Sequence, residues 1–322
     1  MSGTTAPPLA PLLLFAYNRP QHTARCLDSL AAGPLARECT LIAYVDGARD
    51  AAGAGLQDEV CAAIETRRGQ FAQLAIHRRE RNLGLAASVI DGVTRTLQSH
   101  PSVIALEDDL VVAGGFLEYM NSTLRHYAGD SRVGSVHAYC YPGMPAEPPF
   151  FFLPGGDCWG WATWRDRWTM FDADGRRLLR NLLHSQRLRA FTLNFTAPYL
   201  RMLCRQILGR NNSWAVRWHA SLFLRGRLTL YPAVSFVQNT GLDGSGTHCD
   251  TTDAYQSLLS DLRVDEHTPL PLPAPSAAAE RHFQRFFCAG SSGNRGALHA
   301  LRYRLGSPLL DLYWLTRALL SR

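Results

Sequence analysis

Three consecutive carboxylates, Glu107, Asp108 and Asp109, are the residues of this chain whose types and spacing best suit chemistry. They directly follow the apolar run 103–106, which has the character of a buried strand. Carboxylates at the end of a buried strand are electrostatically costly unless a positive group binds there. Mg²⁺ or Mn²⁺ would bind through carboxylate oxygens and keep positions open for other oxygen ligands. The alternative is an acidic patch at the start of a helix, where Asp and Glu are favoured.

Buried strands that alternate with helices must position this triplet. Apolar runs predict strands at 12–16, 41–45, 74–77 and 103–106, and helical periodicity predicts helices at about 21–32, at about 56–69 and up to about residue 99. In the less regular second half we expect an Arg-rich helical stretch at about 176–208 and a strand at about 228–237. The alternation of strands and helices predicts an α/β fold, with a mostly parallel sheet covered by helices on both faces. Such sheets bind ligands beyond the carboxyl ends of their strands. Asn18, Asp46 and Asn82 also follow predicted strands, so we expect them on one rim with the triplet.

Composition limits the classes of function. The 322 residues carry a net charge of +6, with 33 basic residues that are all arginine and 46% hydrophobic residues. The arginines are dispersed and no nucleic-acid-binding motif is present, so we expect no nucleic-acid partner. The eight cysteines form no CxxC pair, which argues against a zinc site and favours reduced thiols. No secretory leader is recognisable, so we expect a cytoplasmic protein.

Several segments together resemble glycosyltransferases of the GT-A type. The stretch VIALEDDLVVAGGFLEYM is similar to the metal-binding segment of N-acetylglucosaminyltransferase I and its bacterial relatives. The segments LLLFAYNRP, AYVDG and RNLGLAASV resemble the nucleotide-binding half of such enzymes. The segments GGDCWGWATW, NSWAVRWHASLFLRGRLTLYP and NTGLDGSGTHC resemble bacterial family-2-like polysaccharide glycosyltransferases. The resemblance spans about residues 11–253 and implies a GT-A, Rossmann-like sheet with an irregular acceptor-side second half.

The resemblance also implies roles for individual residues. Asp109 would be the direct metal ligand, His248 an additional one, and Asp108 would meet the ribose, or the metal through water. A histidine ligand favours Mn²⁺ over Mg²⁺. Asp46 would contact the nucleotide base or ribose. The remaining residues expected at the nucleotide are Tyr17, Asn18, Arg19, Arg81, Asn82, Gly84 and Glu107. Without the resemblance, His248 is a loop histidine among glycines, and Asp46 belongs to a turn after a strand.

The catalytic base departs from the family pattern. In N-acetylglucosaminyltransferase I a Trp-Asp-Asp-Trp segment supplies it, whereas residues 214–218 here read Trp-Ala-Val-Arg-Trp, with no carboxylate. Asp157 is the first substitute and Asp243 the second, and a retaining mechanism would need no such base. Asp157 could equally bind a donor-sugar hydroxyl. Trp159 and Trp161 are candidates to stack on the acceptor sugar, or else belong to the core.

The ends of the chain differ in composition from its centre. We expect a flexible tail at 1–10, one catalytic domain at 11–267 (nucleotide half 11–112, acceptor half 113–267), a Pro/Ala linker at 268–279 and a basic amphipathic tail at 280–322. The tail interleaves arginines with large apolar residues. That pattern fits peripheral contact with an anionic inner membrane, or docking on the protein's own core or on a second subunit in a homodimer.

The sequence thus predicts a metal-dependent, hexosyltransferase-type enzyme that moves a sugar from a nucleoside diphosphate sugar, UDP-sugar favoured, to a glycan or lipid-linked glycan. Bacterial surface polysaccharide synthesis with inversion is the expected setting. One alternative is a catalytically silent glycan- or nucleotide-binding protein, which the residues at 214–218 would suit. Another is a sugar nucleotidyltransferase. That enzyme would want a glycine-rich phosphate loop after the first strand, where this chain has Ala16-Tyr17-Asn18-Arg19-Pro20.

Overall fold

The computed structural model describes residues 8–244, 253–289 and 297–321, with the side chains of 297–307 outside that description. The strands of the described residues are β1 (Leu12–Ala16), β2 (Thr40–Val45), β3 (Gln73–Arg78), β4 (Ser102–Glu107), β5 (Leu110–Val112), β6 (Val133–His137), β7 (Phe150–Pro154), β8 (Trp161–Trp164), β9 (Leu228–Pro232) and β10 (Val237–Asn239).

Helices cover the sheet on both faces. Those of the described residues are α1 (Pro20–Ala31), α2 (Ala51–Glu65), α3 (Leu85–Ser99), α4 (Phe116–His126), α5 (Arg165–Trp168), α6 (Gly175–His184), α7 (Leu188–Phe191), α8 (Tyr199–Ile207), α9 (Trp214–Leu224), α10 (Ala277–Ala289) and α11 (Ala297–Leu320). None of these helices is both long and apolar enough to cross a bilayer.

The main sheet has eight strands in the order β3-β2-β1-β4-β8-β6-β9-β7. The pairs within β3-β2-β1-β4 are all parallel. The strand β8 then runs antiparallel between β4 and β6, and β7 is an antiparallel edge strand on β9. The α/β prediction is confirmed: the sheet is parallel in its first half and mixed in its second.

Burial of β1 on both faces divides the core into two layers. Leu12 and Leu14 pack in the cluster that contains Leu27 of α1, whereas Leu13 packs in the cluster that contains Val93 of α3. Successive strand residues point to opposite faces, so a continuous apolar run is what a strand covered on both sides needs.

Local sequence sets where the helices begin. Pro20 lies in the first turn of α1, where a missing N–H costs nothing. The Asp50 carboxylate accepts a hydrogen bond from the Gly53 amide at 2.8 Å and caps α2. Ser213 caps α9 in the same way through the Val216 amide. These caps fix the loops that leave β1 and β2.

The second half departs from the sequence predictions. The single strand expected at 228–237 is two strands in different sheets, because β9 lies in the main sheet while β10 pairs antiparallel with β5. The Arg-rich helical stretch expected at 176–208 is three helices. Leu193, Asn194 and Phe195 interrupt it with positive φ angles that no helix accommodates.

Candidate active site

The carboxyl ends of the four parallel strands form one rim. The Asp46 amide donates to the Ala16 carbonyl at 2.9 Å, and the Asp108 amide donates to the Phe15 carbonyl at 3.0 Å. These bonds continue the strand ladders by one residue, so Tyr17, Asp46 and Asp108 leave the sheet side by side.

Arg19 holds the acidic residues of this rim. One guanidinium nitrogen, Nη2, donates to Asp108 Oδ1 at 2.7 Å and to Asp109 Oδ2 at 3.0 Å. The Tyr17 amide donates to the second oxygen of Asp108 at 3.3 Å. We call Arg19, Asp108 and Asp109 the carboxylate clamp. Sequence analysis placed Arg19 at the nucleotide but missed its pairing with both carboxylates.

Asp109 is anchored through its backbone and incompletely satisfied at its side chain. Its carbonyl accepts from the Thr240 amide at 2.8 Å and from the Thr240 hydroxyl at 2.9 Å. Asp109 Oδ1 and Arg19 Nη1 are buried and have no hydrogen-bond partner among the described residues. A side chain at Gly241 would place Cβ 2.3 Å from Asp109 Oδ2, so only glycine fits there.

The clamp only partly offsets the cost of grouping three carboxylates. Burial first, then the charges of Asp109 and Asp108, raise the pKa of Glu107 to about 8. Burial raises the pKa of Asp108 to about 6 even though Arg19 opposes that shift. Burial lowers the pKa of Arg19, but the two aspartates outweigh burial and shift it upward. The positive charge of Arg19 therefore does not fully compensate the acidic groups of the rim, and a further cation would stabilise them.

Of the predicted metal-site residues, Asp108 and Asp109 lie among the described residues and His248 does not. Within the described ranges no three His, Cys, Asp or Glu side chains converge to hold a metal ion. His248 lies in 245–252, outside the described residues. Mg²⁺ and Mn²⁺ sites at phosphates use one or two carboxylates, with phosphate and water oxygens as the other ligands. The two aspartates, one with an unsatisfied oxygen, fit that type of site.

Asp46 has a structural task that the sequence did not reveal. Its Oδ1 accepts from the Leu83 amide at 2.9 Å and its Oδ2 from the Gly84 amide at 2.8 Å. Gly84 has φ 76°, which glycine adopts readily, and starts α3. The Asn82 side chain donates to the Gly47 carbonyl at 2.8 Å. Asp46 thus ties the 82–84 loop to the rim, and both its oxygens are already hydrogen-bonded.

The remaining predicted nucleotide residues surround this loop. Tyr17 and Asn18 are half-buried and Arg81 is exposed. Arg49, which sequence analysis missed, donates to Asn82 Oδ1 at 3.3 Å and lies 5.6 Å over the Tyr17 ring. Its only sequence signal is its place three residues after Asp46.

A second carboxylate, Asp157, lies in the loop that enters β8. Because β8 is antiparallel to β4, with Trp161 opposite Ala105, its amino end meets the carboxyl end of β4. Burial raises the pKa of Cys158 well above its usual value, and the charges of Asp157, Glu107 and Asp109 add to the shift. The Cys158 thiol therefore lies close enough to Asp157 and to the acidic triplet for the charges of both to raise its pKa.

Asp157 is surrounded by aromatic and imidazole groups. Its Oδ1 accepts from the Cys158 amide at 2.9 Å and lies 4.0 Å from His137 Nε2. Its Oδ2 accepts from the Tyr231 hydroxyl at 3.5 Å. Burial lowers the pKa of His137 and raises that of Tyr231 well above its usual value. We call Asp157, His137 and Tyr231 the Asp157 cluster. Its last two members sit within apolar strands and carried no sequence signal.

The tryptophans divide between site and core. Trp161 is 2% exposed and packs against Trp168, Trp214 and Trp218, so the prediction that it stacks on an acceptor sugar is wrong. Trp159 is half-buried, packs edge-on against Tyr139, and donates its amide to His137 Nε2 at 3.1 Å. Trp214 and Trp218 are both buried, so the 214–218 segment belongs to the core as well.

Asp243, the second candidate base, lies elsewhere. Its Oδ2 is 3.3 Å from Nε2 of the buried His22 in α1, and its side chain is about half exposed.

A separate groove of about 1080 Å³ runs along the β3 edge between Tyr44, Arg79 and Arg95 and reaches the rim at Arg81. Its lining includes none of the clamp residues and no member of the Asp157 cluster.

Comparisons with known proteins found weak similarity to solved structures and no match to a family. No known family profile matches the chain, and no curated protein matches it. Among solved structures, a Pyrobaculum calidifontis mannosyltransferase in complex with GDP-Man and Mn²⁺ is similar at 12% identity and TM-score 0.36, over 98% of this chain and 88% of the other. The galactosyltransferase LgtC, in complex with donor and acceptor sugar analogs, is similar at 11% identity and TM-score 0.35, over 68% and 72%. Staphylococcus aureus TarS is similar at 14% identity and TM-score 0.33, over 46% of this chain and 25% of TarS. This chain thus spans a quarter of TarS, and likeness at these scores assigns no activity.

Proposed function

We propose that this chain is a metal-dependent glycosyltransferase that moves a sugar from a nucleoside diphosphate sugar, UDP-sugar by preference, to a hydroxyl of a glycan. The observation that carries the proposal is the buried Asp109 carboxylate, whose Oδ1 lacks a hydrogen-bond partner among the described residues. Buried polar atoms are seldom left without a partner, and a bound ion is one arrangement that satisfies such an atom. Asp109 lies on the rim of the sheet where α/β folds bind ligands.

Asp109 and Asp108 would hold the cation, with His248 as a further ligand that favours Mn²⁺ over Mg²⁺. Bound there, the cation supplies Lewis-acid neutralisation of the leaving diphosphate. Arg19, once displaced from the carboxylate oxygens, becomes available to a phosphate oxygen, which guanidinium groups bind in a fork. Tyr17, the 82–84 loop, Arg49 and Arg81 would line the nucleotide.

Asp157 would act as the general base of an inverting reaction. A bond forms between the acceptor oxygen and the anomeric carbon while the bond from that carbon to the diphosphate oxygen breaks. The acceptor proton passes to an Asp157 oxygen, because a carboxylate within hydrogen-bond reach of the hydroxyl can accept it. Tyr231 would orient that carboxylate, and Trp159 would stack on the acceptor ring. We infer that the acceptor is a bacterial surface glycan or its lipid-linked precursor.

The test is nucleotide release from a panel of nucleoside diphosphate sugars, with Mn²⁺ or with chelator. We expect release with Mn²⁺ and an acceptor glycan, loss on chelation, and loss in Asp109→Asn. Glu266→Gln is the matched control, because Glu266 is highly exposed and pairs only with its neighbour His267 among the described residues.

Other results would point to other functions. Metal-dependent thermal stabilisation by UDP without turnover of any donor would identify a silent binding protein. Formation of a sugar nucleotide and pyrophosphate from a nucleoside triphosphate and a sugar phosphate would identify a nucleotidyltransferase. Either result would overturn the proposal.

A further inference from the structure

The described part of α11 has two faces of different character. Asp311, Trp314, Leu315 and Ala318 recur at helical spacing and face the protein. Trp314, Leu315 and Ala318 pack in the apolar cluster formed with α6 and α8. Asp311 is 2% exposed and pairs with Arg201 of α8 at 3.1 Å between Oδ1 and Nε. This face holds the helix on the body of the molecule.

The opposite face is apolar and open to solvent. Leu309 and Leu320 are 70% and 78% exposed, and Leu312 and Tyr313 are at least half exposed. The residues 309, 312, 313, 316 and 320 follow the spacing of one helical stripe, and none of them is charged. We call this stripe the leucine face. A contiguous set of exposed leucines marks an interaction surface, whereas single exposed leucines are ordinary.

Arginines without acidic partners surround the leucine face. Arg317 lies 5.7 Å over the Tyr313 ring and Arg205 of α8 lies 5.7 Å over the Trp314 ring. Arg176 of α6 donates to the Ser321 carbonyl. Within the described ranges none of these three arginines forms an ion pair with a carboxylate.

The helices beneath extend this positive field. From Gly175 to Arg227 the chain carries eleven arginines and no Asp or Glu. Arg177 pairs with Asp172 and Arg201 with Asp311, which leaves a surplus of positive charge in this region, and such a surplus favours an extended negative surface.

We propose that the leucine face and its arginines dock this protein on an anionic lipid bilayer, with α11 lying in the plane of the interface. An exposed apolar stripe that inserts among acyl chains, flanked by arginines at the level of the headgroups, is the arrangement by which interfacial helices bind. Tyr313 suits that depth, because its ring is amphipathic and half exposed. A protein partner of ordinary charge would leave the surplus of arginines over carboxylates in this region unmatched. This inference does not depend on the proposed activity.

The experiment is co-sedimentation of the full chain with vesicles of phosphatidylcholine alone or with about 30% phosphatidylglycerol. We expect binding to the anionic vesicles only, weakened at about 0.5 M NaCl where charges are screened within about 4 Å. The triple variant Leu309→Ser/Leu312→Ser/Leu320→Ser should lose roughly tenfold or more in partition coefficient. The double variant Arg205→Gln/Arg317→Gln should lose binding to a smaller extent.

The matched control is Leu258→Ser/Leu272→Ser, which removes two equally exposed leucines outside α11. Circular dichroism melting of each variant verifies that it is folded. Equal binding by the triple variant and this control would overturn the proposal. It would also be overturned if the wild-type chain bound no vesicles, or formed a dimer that the triple variant alone dissociates, since a second copy would then be the occupant.

Discussion

The carboxylate clamp and the Asp157 cluster lie at the ends of the neighbouring strands β4 and β8, yet their carboxylates are surrounded by different chemical groups. In the clamp, two adjacent aspartates face one arginine, and a carboxylate oxygen is left without a donor among the described residues. In the Asp157 cluster, a single carboxylate faces a tyrosine hydroxyl and a histidine whose pKa burial lowers.

This difference separates two kinds of chemistry. A surplus of negative charge around one guanidinium favours binding of a further cation, so the clamp suits a divalent metal ion that could in turn bind phosphate oxygens. A lone carboxylate beside neutral donors has no strong counter-charge to hold its oxygens, so it is free to accept a proton from a hydroxyl. The predictions below test whether the two regions differ in this way.

The largest expected effect is at the clamp. Asp109→Ala should lower the rate of sugar transfer about a thousandfold or more, because it removes the oxygen that would hold the cation. The variant should also lose the thermal stabilisation that Mn²⁺ with UDP gives the wild-type chain. Steady-state rates and thermal shift measure these effects. Full activity of this variant would remove the metal from the mechanism.

The next effect separates proton transfer from binding. Asp157→Asn should lower kcat about a hundredfold or more while the KM for the donor stays within a fewfold range, since the amide cannot accept the proton. Asp243→Asn, which alters the second candidate, should change kcat far less. If the two variants exchanged these outcomes, the base would be Asp243, and the comparison drawn here would fail.

A third prediction concerns the counter-ion. Arg19→Gln should lower the free energy of unfolding of the metal-free protein by about 2–3 kcal/mol, because Asp108 and Asp109 lose their charged donor. Mn²⁺ should then raise the melting temperature of the variant more than that of the wild type. Urea unfolding and calorimetry give both quantities. An equal response to Mn²⁺ would show that Arg19 and the cation do not compete for these oxygens.

The smallest effect is the pH dependence of stability. Glu107 and Asp108 have pKa values raised in the folded state to about 8 and about 6, so their protonated forms favour folding. This stabilisation is full below the pKa of the unfolded chain and is lost as pH rises through about 6 and then about 8. The metal-free protein should therefore be less stable at pH 9 than at pH 5 because of these groups. Glu107→Gln should flatten the upper part of this profile, measured by urea titration. An unchanged slope would contradict it.

Much of the first half of the fold could be predicted from the sequence. The strands β1, β2 and β4 contain continuous apolar runs and β3 contains the short run 74–76, so both their existence and their shared carboxyl ends follow from the sequence pattern. Asp46 and Asp108 could therefore be placed on one rim. The bond from Asp46 to the Gly84 amide could not, because it depends on how the loop after β3 closes, with the Gly47 backbone against that of Arg81.

The second half could not be predicted to the same degree, because distant segments assemble it. The strand β8 inserts between β4 and β6, and the Asp157 cluster joins residues from β6, from the loop before β8 and from β9. A short apolar strand rich in tryptophan gives no sign of which ring faces the core. The sequence therefore does not decide between the acceptor and the core for Trp161, and tertiary packing buries it.

The antiparallel pairing of β4 with β8 determines which parts of the site can change in sequence without changing its geometry. Backbone hydrogen bonds from Ser102 opposite Trp164 to Ala105 opposite Trp161 set the spacing between the two acidic sites, whichever side chains the loops carry. Residues of the segment between β7 and β8 can therefore change while the end of this segment at β8 keeps its position relative to Asp109. The pairing of β4 with β8 is the constant part of this arrangement, and the loop before β8 is the part that can vary in specificity.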